Sequence, residues 1–503
     1  MKVLFFALAV VGGISTINAQ SNGTSLYDNS FVHRIDITFQ QTSFWDSLTL
    51  YYNDAFNNGG DVKYMMAGVT IDGVEEDSIG FKQKGFYSNW GSGEALKKPF
   101  KISMSEYNDS KKYDGLKKIN LSNGFEDPAI MRDVLAYKFM RDAGINAPRT
   151  AYTKLYLNGT YWGLYVMVEE VDKRALKNWF TNNNGNLFKC ANNTNLDYQG
   201  ADFNNYTDEF ELQTNKTENN WSGFTRFVKN VNASPSQFND SIRAVLNVDN
   251  YLDVLAADII LFNWDSYYDH GRNFFVYQDS TTNLMEWIPW DYNLSFSTSN
   301  VDLIIDYSQT EAKPLVKNMQ ENAELRHSFF DHVCILMDNY FTHGNLDAFI
   351  TTTAALIRPA LDEDPNKFFT ITEFDQSIVQ DIQVQGQWGG QTYKGLQQFI
   401  TERQTAIASQ LAGYNHTCTA LSIDEEGIND IVLYPNPFQD NFSIKAESLM
   451  DRVEVYSLSG QLLQALTPNQ SELIIPMVNY AAGTYLVKVS LGGFVKSFTI
   501  SKQ

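Results

Sequence analysis

Residues 286–296 read EWIPWDYNLSF, with one carboxylate, Asp291, set among tryptophan, proline, tyrosine and leucine. A carboxylate in such company is costly to bury as an anion unless a donor or a cation meets it. Upstream, residues 263–277 read NWDSYYDHGRNFFVY and carry Asn263, Asp265, Asp269, His270, Arg272 and Asn273 between an apolar helix and an apolar strand. FFVY then runs through QDSTTNL into MEWIPWD. This order predicts helix end, loop, strand, turn, strand. The hairpin folds the 263–273 loop back toward Asp291, so that Asp265, Asn273 and Asp291 converge. All three are oxygen donors, the sparse set that magnesium favours while it takes phosphate oxygens from a substrate.

Working outward, residues 26–414 read as one mixed α+β region. FVHRIDITF, DVKYMMAGVTIDG and SIGFKQKGF are strand-like, and KKPFKISM follows a glycine-containing turn, SNWGSGEAL. DPAIMRDVLAYKFMRDAG predicts the first helix, with Asp127 as N-cap, Pro128 at the first helical position and Gly144 at the end. TKLYLNGTYWGLYVMVEEV predicts a hairpin turning at Asn158-Gly159. VDNYLDVLAADIILFNW predicts an apolar helix leading into the Asp265 loop. Residues 315–360 and 394–412 are expected to be mainly helical. DEDPNKFFTITE, 362–373, places acids at calcium-loop positions, but Lys367 stands where glycine is needed, so it reads as a polar turn between helices.

Residues 415–427 read as a linker. Beyond them, over 428–503, short alternating strands with turn residues every 8–12 positions predict a small all-β, Ig-like sandwich. YPNP at 434–437, VEVYSLSGQLL, AAGTYLVKV and a closing strand at the last residues resemble the C-terminal sorting domain of type IX secretion substrates. That resemblance implies the type IX secretion machinery as a partner and a secreted or cell-surface location.

The longer region also carries a resemblance. N-x-D, then Asn and an aromatic strand, then PWDY-x-x-F are similar to the spore-coat protein H (CotH) kinase family. FKQKGF with KKPFKISM, the DPAIMRDVLAYKFMRDAGINAPR helix and the YLNGTYWGLYVMVEEVD hairpin follow the same pattern in order. The resemblance implies an atypical protein-kinase-like domain that uses ATP with Mg²⁺ or Mn²⁺ and a protein substrate. It implies Asp265 as the catalytic carboxylate and Asn273 and Asp291 as metal ligands. Lys98 or Lys101 would touch nucleotide phosphates, tied to Glu169 or Glu170, with Glu169 taken as the inward residue. Arg132 would reach a phosphate and Trp290 would line the adenine, though a buried salt bridge and plain packing remain open for these two. Asn293 stands where the family often has a second acid, Lys84 where it has arginine, and Phe86 where it has a polar residue. Lysine cannot form the bidentate phosphate fork of arginine.

Composition limits the rest. The 503-residue chain has a formal net charge of −21, which excludes a nucleic-acid backbone as partner. Its 43% hydrophobic content supports a sizeable core. MKVLFFALAVVGGISTINAQ reads as a secretory leader, residues 1–19, and no later run is apolar enough to span a membrane. Cys190, Cys334 and Cys418 permit one disulfide with one thiol left over. No Walker A, G-x-S-x-G or H-E-x-x-H motif is present. His327 and His332, five apart, do not share a helix face. Three functional readings stand: a phosphotransferase, a catalytically weak or inactive surface adhesin that reuses the fold, and a carboxylate-pair hydrolase acting on glycans through Asp265 and Asp291.

Overall fold

A computed structural model describes residues 22–386, 389–418, 431–457, 462–491 and 494–503. The expected leader and residues 419–427 of the expected linker lie outside them. The chain divides into two compact units after Cys418.

The first unit is mixed α and β. Seven strands close into a barrel in the order β1-β2-β3-β4-β5-β7-β6. They are β1 (His33–Thr38), β2 (Met65–Ile71), β3 (Val74–Gln83), β4 (Phe100–Ser103), β5 (Lys118–Ser122), β6 (Thr150–Leu157) and β7 (Thr160–Val168). All neighbours are antiparallel except β1 and β6, whose parallel pairing of Ile35 with Leu155 closes the ring. Ile35, Ile37, Val69, Ile79, Phe81, Phe100, Ile102, Ile119, Leu121 and Met167 fill one buried cluster. The alternation of strand side chains therefore sends Lys101 and Asn120 to the barrel's outer face. The β6–β7 hairpin turns at Asn158 (φ 47°) and Gly159 (φ 79°), as the sequence predicts for a type I′ turn.

Two helix expectations need correction. The first helix is Phe44–Asn58, between β1 and β2, which buries Leu48 and Tyr52 one turn apart. The next expected helix starts late, at Arg132. Asp127 instead accepts from the backbone N–H of Ala129 (3.1 Å) and Arg132 (2.8 Å), capping a separate turn. Ile130, at φ 51°, interrupts the path between that turn and the helix. The C-terminus is as expected. Gly144 takes φ 81°, and the N–H groups of Gly144 and Ile145 bond back to the carbonyls of Arg141 and Met140.

A second sheet runs β11-β10-β8-β9, with β8 (Asn186–Cys190), β9 (Phe210–Leu212), β10 (Phe274–Gln278) and β11 (Met285–Pro289). β10 and β11 form the expected hairpin, pairing Phe274 with Pro289. Helices Val248–Ile260, Ala323–Asn339, His343–Asp362 and Leu396–Gly413 contribute to the largest apolar core. A two-stranded ribbon, β12 (Ile382–Gly386) and β13 (Gly389–Tyr393), precedes the last of them. Cys334 and Cys418 are joined 84 residues apart, while Cys190 is a buried thiol. Closing a loop of that length removes unfolded-state freedom equivalent to about 4 kcal/mol.

The second unit is all-β. One sheet joins β14 (Val432–Tyr434), β15 (Asn441–Met450) and β18 (Gln470–Pro476). The other joins β17 (Leu462–Leu466), β16 (Arg452–Ser457), β19 (Gly483–Leu491) and β20 (Phe494–Lys502). Phe442 and Ile444 from the first sheet share one core with Val453, Val455, Val487 and Val489 from the second.

The turn at 362–370 hides an ion pair. Lys97 and Asp364 have side chains 0% exposed, with Nζ donating to Oδ2 at 2.5 Å. Asp364 also accepts from the N–H of Leu164 and Asn366. Gly163 makes room for it, since a Cβ there would lie 2.8 Å from both carboxylate oxygens. Lys97 is thus a tether between barrel and helices. Asp364→Ala strands an ammonium ion in the core. Urea denaturation is expected to show a loss of about 3–5 kcal/mol, and a smaller loss when Lys97→Met accompanies Asp364→Leu.

Candidate functional site

The barrel's outer face supplies cations. Lys101 pairs with Lys82 on β3 and Asn120 on β5, and Asn120 pairs with Val168 on β7. Glu170, two residues past Val168, falls on the same face. Its carboxylate accepts from Lys101 Nζ at 2.7 and 2.8 Å and from Asn120 Nδ2 at 2.7 Å. Lys118 stands 3.7 Å away. Burial raises the Glu170 pKa, but Lys101 and Lys118 overcome it and hold the group well below the usual carboxylate range. Lys84 donates to Asn120 Oδ1 at 3.2 Å and lies 5.8 Å from the Trp290 ring. Burial, then Lys101, pushes Lys84 down to about 8, while Glu170 and Asp291 act to raise it.

The hairpin and its preceding loop supply carboxylates. Arg272 Nε donates to Asp265 Oδ1 at 2.6 Å. Asn273 Nδ2 donates to the Asp265 carbonyl and to Oδ2, both at 2.9 Å, which leaves Asn273 Oδ1 for another partner. The hairpin ladder ends at the Phe274–Pro289 pair, so Asn273 is one residue and Asp291 two residues beyond it on the two strands. Both Asn273 (φ 60°) and Asp291 (φ 63°) adopt the left-handed conformation, which Asn and Asp tolerate better than other side chains.

Two helices pin the Asp291 turn. The Asp291 N–H donates to Tyr137 Oη at 2.9 Å, and the Tyr292 N–H donates to Asp133 Oδ1 at 2.9 Å, both acceptors on helix Arg132–Asp142. Tyr292 Oη donates to Asp258 Oδ1 at 2.5 Å, on helix Val248–Ile260. Burial raises the Asp291 pKa; Lys84 lowers it, Asp265 raises it, and Arg272 and Lys189 lower it. Among the described residues the Asp291 carboxylate takes part in no hydrogen bond or ion pair, though it feels charges from both halves of the site.

This donor set fits a hard divalent cation. Among the described residues, Asp291 has a carboxylate without a partner, Asp265 has a carboxylate aimed by Arg272 and Asn273, and Asn273 has a spare amide oxygen. Asp133, close enough to feel Asp291, is pushed up to about 8 by burial first and Asp291 second. A cation held by Asn273 and Asp291 would offset that mutual repulsion.

Other sequence-predicted residues lie elsewhere. Lys98 donates to the carbonyls of Asn89 (2.9 Å) and Gly93 (2.5 Å) and to Ser92 Oγ (3.0 Å), which sews up its own turn. Glu169 is buried against Arg149, with Oε1 accepting from Nη2 at 2.6 Å and Oε2 from Nε at 2.9 Å. Strand parity sends Glu170, not Glu169, to Lys101. Arg132 is 3% exposed and is taken up by the carbonyls of Ser295 and Lys394 and by Asp127. It is a structural tie. Trp290 is half-buried against Phe275, 5.8 Å between rings, beside Lys84. Trp287 stacks on Phe274 at 4.1 Å inside the core. Asn120, Lys118, Asp133, Asp258 and Tyr137 are the partners that sequence reasoning missed. The alternation in KINLS was the available signal for the first two.

A cation-lined barrel face and a carboxylate hairpin make a candidate anion-and-metal site in a mixed α/β unit, which an all-β unit follows in the chain. The chain matches the model of the CotH kinase protein family over residues 82–407, and it belongs to that family. Residues 432–501 match the secretion system C-terminal sorting domain, which makes this a secreted or cell-surface protein and implies engagement of the type IX machinery. No helix among the described residues is long and apolar enough to cross a membrane. The inner spore coat protein H of Bacillus subtilis is 24% identical over 287 residues, covering 56% of this chain and 78% of that protein. Invasin CotH2 of Rhizopus delemar is 21% identical over 314 residues, covering 57% of this chain, which spans about half (53%) of that relative's length. The twitchin kinase region from C. elegans overlaps with a TM-score of 0.17 at 8% identity, over 81% of this chain and 71% of that one, too low to define a shared fold.

The buried carboxyls give a pH signature. Asp133 is raised from 3.8 to about 8 and Asp258 from 3.8 to about 7, both chiefly by burial. Each binds its proton more tightly folded than unfolded. Their contribution to stability therefore falls as pH rises from 3.8 through the raised value, and the penalty is complete above it. Metal-free wild-type protein is expected to lose more stability than Asp133→Asn between pH 5 and pH 8, measured by urea denaturation. Equal slopes would refute the assignment of the buried charge.

Proposed function

We propose that this is a secreted, atypical kinase-like phosphotransferase, delivered by an Ig-like sorting tail, that moves the γ-phosphoryl group of ATP to a protein hydroxyl with Mg²⁺ or Mn²⁺. The observation that carries the reading is Lys84. Its Nζ donates to Asn120 Oδ1 at 3.2 Å on the barrel face, where Asn120 also bonds Glu170, and stands 5.8 Å from the ring of Trp290, the hairpin residue before Asp291, which supports reading cations and carboxylates as one site.

Lys101, aimed by Glu170, and Lys84 would offer ammonium groups to the phosphates. Asp265, oriented by Arg272 and Asn273, would accept the proton of the incoming hydroxyl. A divalent cation held by Asn273 and Asp291 would neutralise phosphate charge. Trp290, beside Lys84, would offer a flat face to the base. Catalysis of this kind rests on positioning and electrostatics rather than on a covalent intermediate. The lysines cannot grip phosphate bidentately, so the cation carries more of the binding.

The test is the melting temperature with and without Mg-ATP, followed by phosphate incorporation into a model protein. Wild type and Lys98→Ala are expected to gain stability with Mg-ATP. Asp291→Ala and Lys101→Ala are expected to lose that gain, and Asp265→Asn to lose incorporation by about 10²-fold or more. A shift that survives Asp291→Ala, or no shift in wild type, contradicts the proposal.

A further inference from the structure

A second group of metal-ligating side chains lies on the helix Ala323–Asn339. His327, Asp331 and Cys334 fall at i, i+4 and i+7, on one face of that helix. The Cys334–Cys418 disulfide fastens the segment after the helix Leu396–Gly413 onto this face. His416, two residues before Cys418, is thereby laid over Asp331 and His327. Its Nε2 is 3.2 Å from Asp331 Oδ1, and His327 Nε2 is 3.9 Å from Asp331 Oδ2. One donor atom from each of the three lies within 4.8 Å of the other two.

The position of His416 is fixed by more than the disulfide. Its N–H donates to the Leu411 carbonyl at 2.9 Å, and its ring packs on Phe330 at 5.4 Å. It is 9% exposed, whereas the His327 side chain is 71% exposed and open to solvent. The imidazoles stand edge to face, 4.9 Å between centroids. Asp331 thus lies against a ring nitrogen of each histidine, a donor set that a divalent cation takes up through a lone pair from each neutral ring and one carboxylate oxygen.

We propose that His327, Asp331 and His416 bind a divalent transition-metal ion of the zinc class, and that ion and disulfide together clamp residues 414–418 to the helix Ala323–Asn339. Two imidazoles select such ions over Mg²⁺, which prefers oxygen ligands. The site is therefore chemically distinct from the carboxylate set around Asp291. Three protein ligands leave one tetrahedral position to water, reached past the exposed His327. The disulfide sets the geometry in advance, so metal affinity depends on it.

The experiment is a Co²⁺ titration of the full-length oxidised protein, read by visible d–d absorption, with Zn²⁺ competition and a melting curve. Wild type is expected to bind one Co²⁺ with tetrahedral absorption, to release it to Zn²⁺, and to melt higher with Zn²⁺. His416→Ala and His327→Ala are each expected to weaken binding by at least about tenfold. Because His327 is exposed, its replacement leaves the packing intact and guards against a folding artefact at His416. The double variant Cys334→Ser, Cys418→Ser is expected to bind more weakly than wild type, and Asp291→Asn to bind as wild type does. Absence of tetrahedral absorption in wild type, unchanged affinity in His327→Ala, or loss of the signal in Asp291→Asn would overturn the proposal.

Discussion

Carboxylates held against apolar helices are the constraint on which this molecule is arranged. Asp133 and Asp258 are buried and Asp291 is half-buried, and burial is the largest cause of the raised pKa of each. Two of them are used structurally. Asp133 receives the Tyr292 N–H and Asp258 receives the Tyr292 hydroxyl, so the residue after Asp291 is held from two helices. Among the described residues, Asp291 itself is held through its backbone alone, by Tyr137. Lys84, Arg272 and Lys189 favour its charge, and Asp265 opposes it. A strained, left-handed turn fixed this firmly directs a charge rather than filling a core.

The barrel performs the complementary task. Closing seven strands leaves the interior to apolar residues and forces every second side chain outward. Lys101, Asn120, Lys118 and Glu170 then become a cationic patch whose positions are set by strand register. Glu170 keeps Lys101 in place without neutralising the whole patch, since Lys84 and Lys118 remain nearby. On a chain of net charge −21 this local excess of cations is specific to the site and owes nothing to the average surface. It also makes the site asymmetric, with ammonium groups on the barrel and carboxylates on the hairpin. An anion bridged by a metal satisfies both sides at once.

Much of this was legible in the sequence, wherever the signal was local. The Asn158-Gly159 turn, the Gly144 stop and the hairpin carrying Asn273 toward Asp291 follow from short patterns with strict stereochemistry. The closure of the barrel was not legible, because β1 meets β6 across more than a hundred intervening residues with no local signature. Glu169 was preferred over Glu170 because the parity of a strand end depends on register with β5, which the strand itself does not reveal. Asp127 has the composition of a helix cap, yet the left-handed Ile130 makes it the cap of a preceding turn. The family resemblance implied phosphate contacts for Lys98 and Arg132, with a buried salt bridge left open for Arg132; backbone carbonyls claim both, and Asp127 lies beside Arg132. The His327–Asp331–His416 group was invisible because its third member arrives through a disulfide partner 84 residues from Cys334.

The central claim is that cationic barrel face and carboxylate hairpin form one site that a metal-bridged triphosphate completes. Isothermal titration of ATP into the full-length protein, in saturating Mg²⁺ and then in EDTA, tests it most directly. The account predicts measurable binding with Mg²⁺ and a collapse of affinity without it. Equal affinity in EDTA, or no heat under either condition, would contradict it.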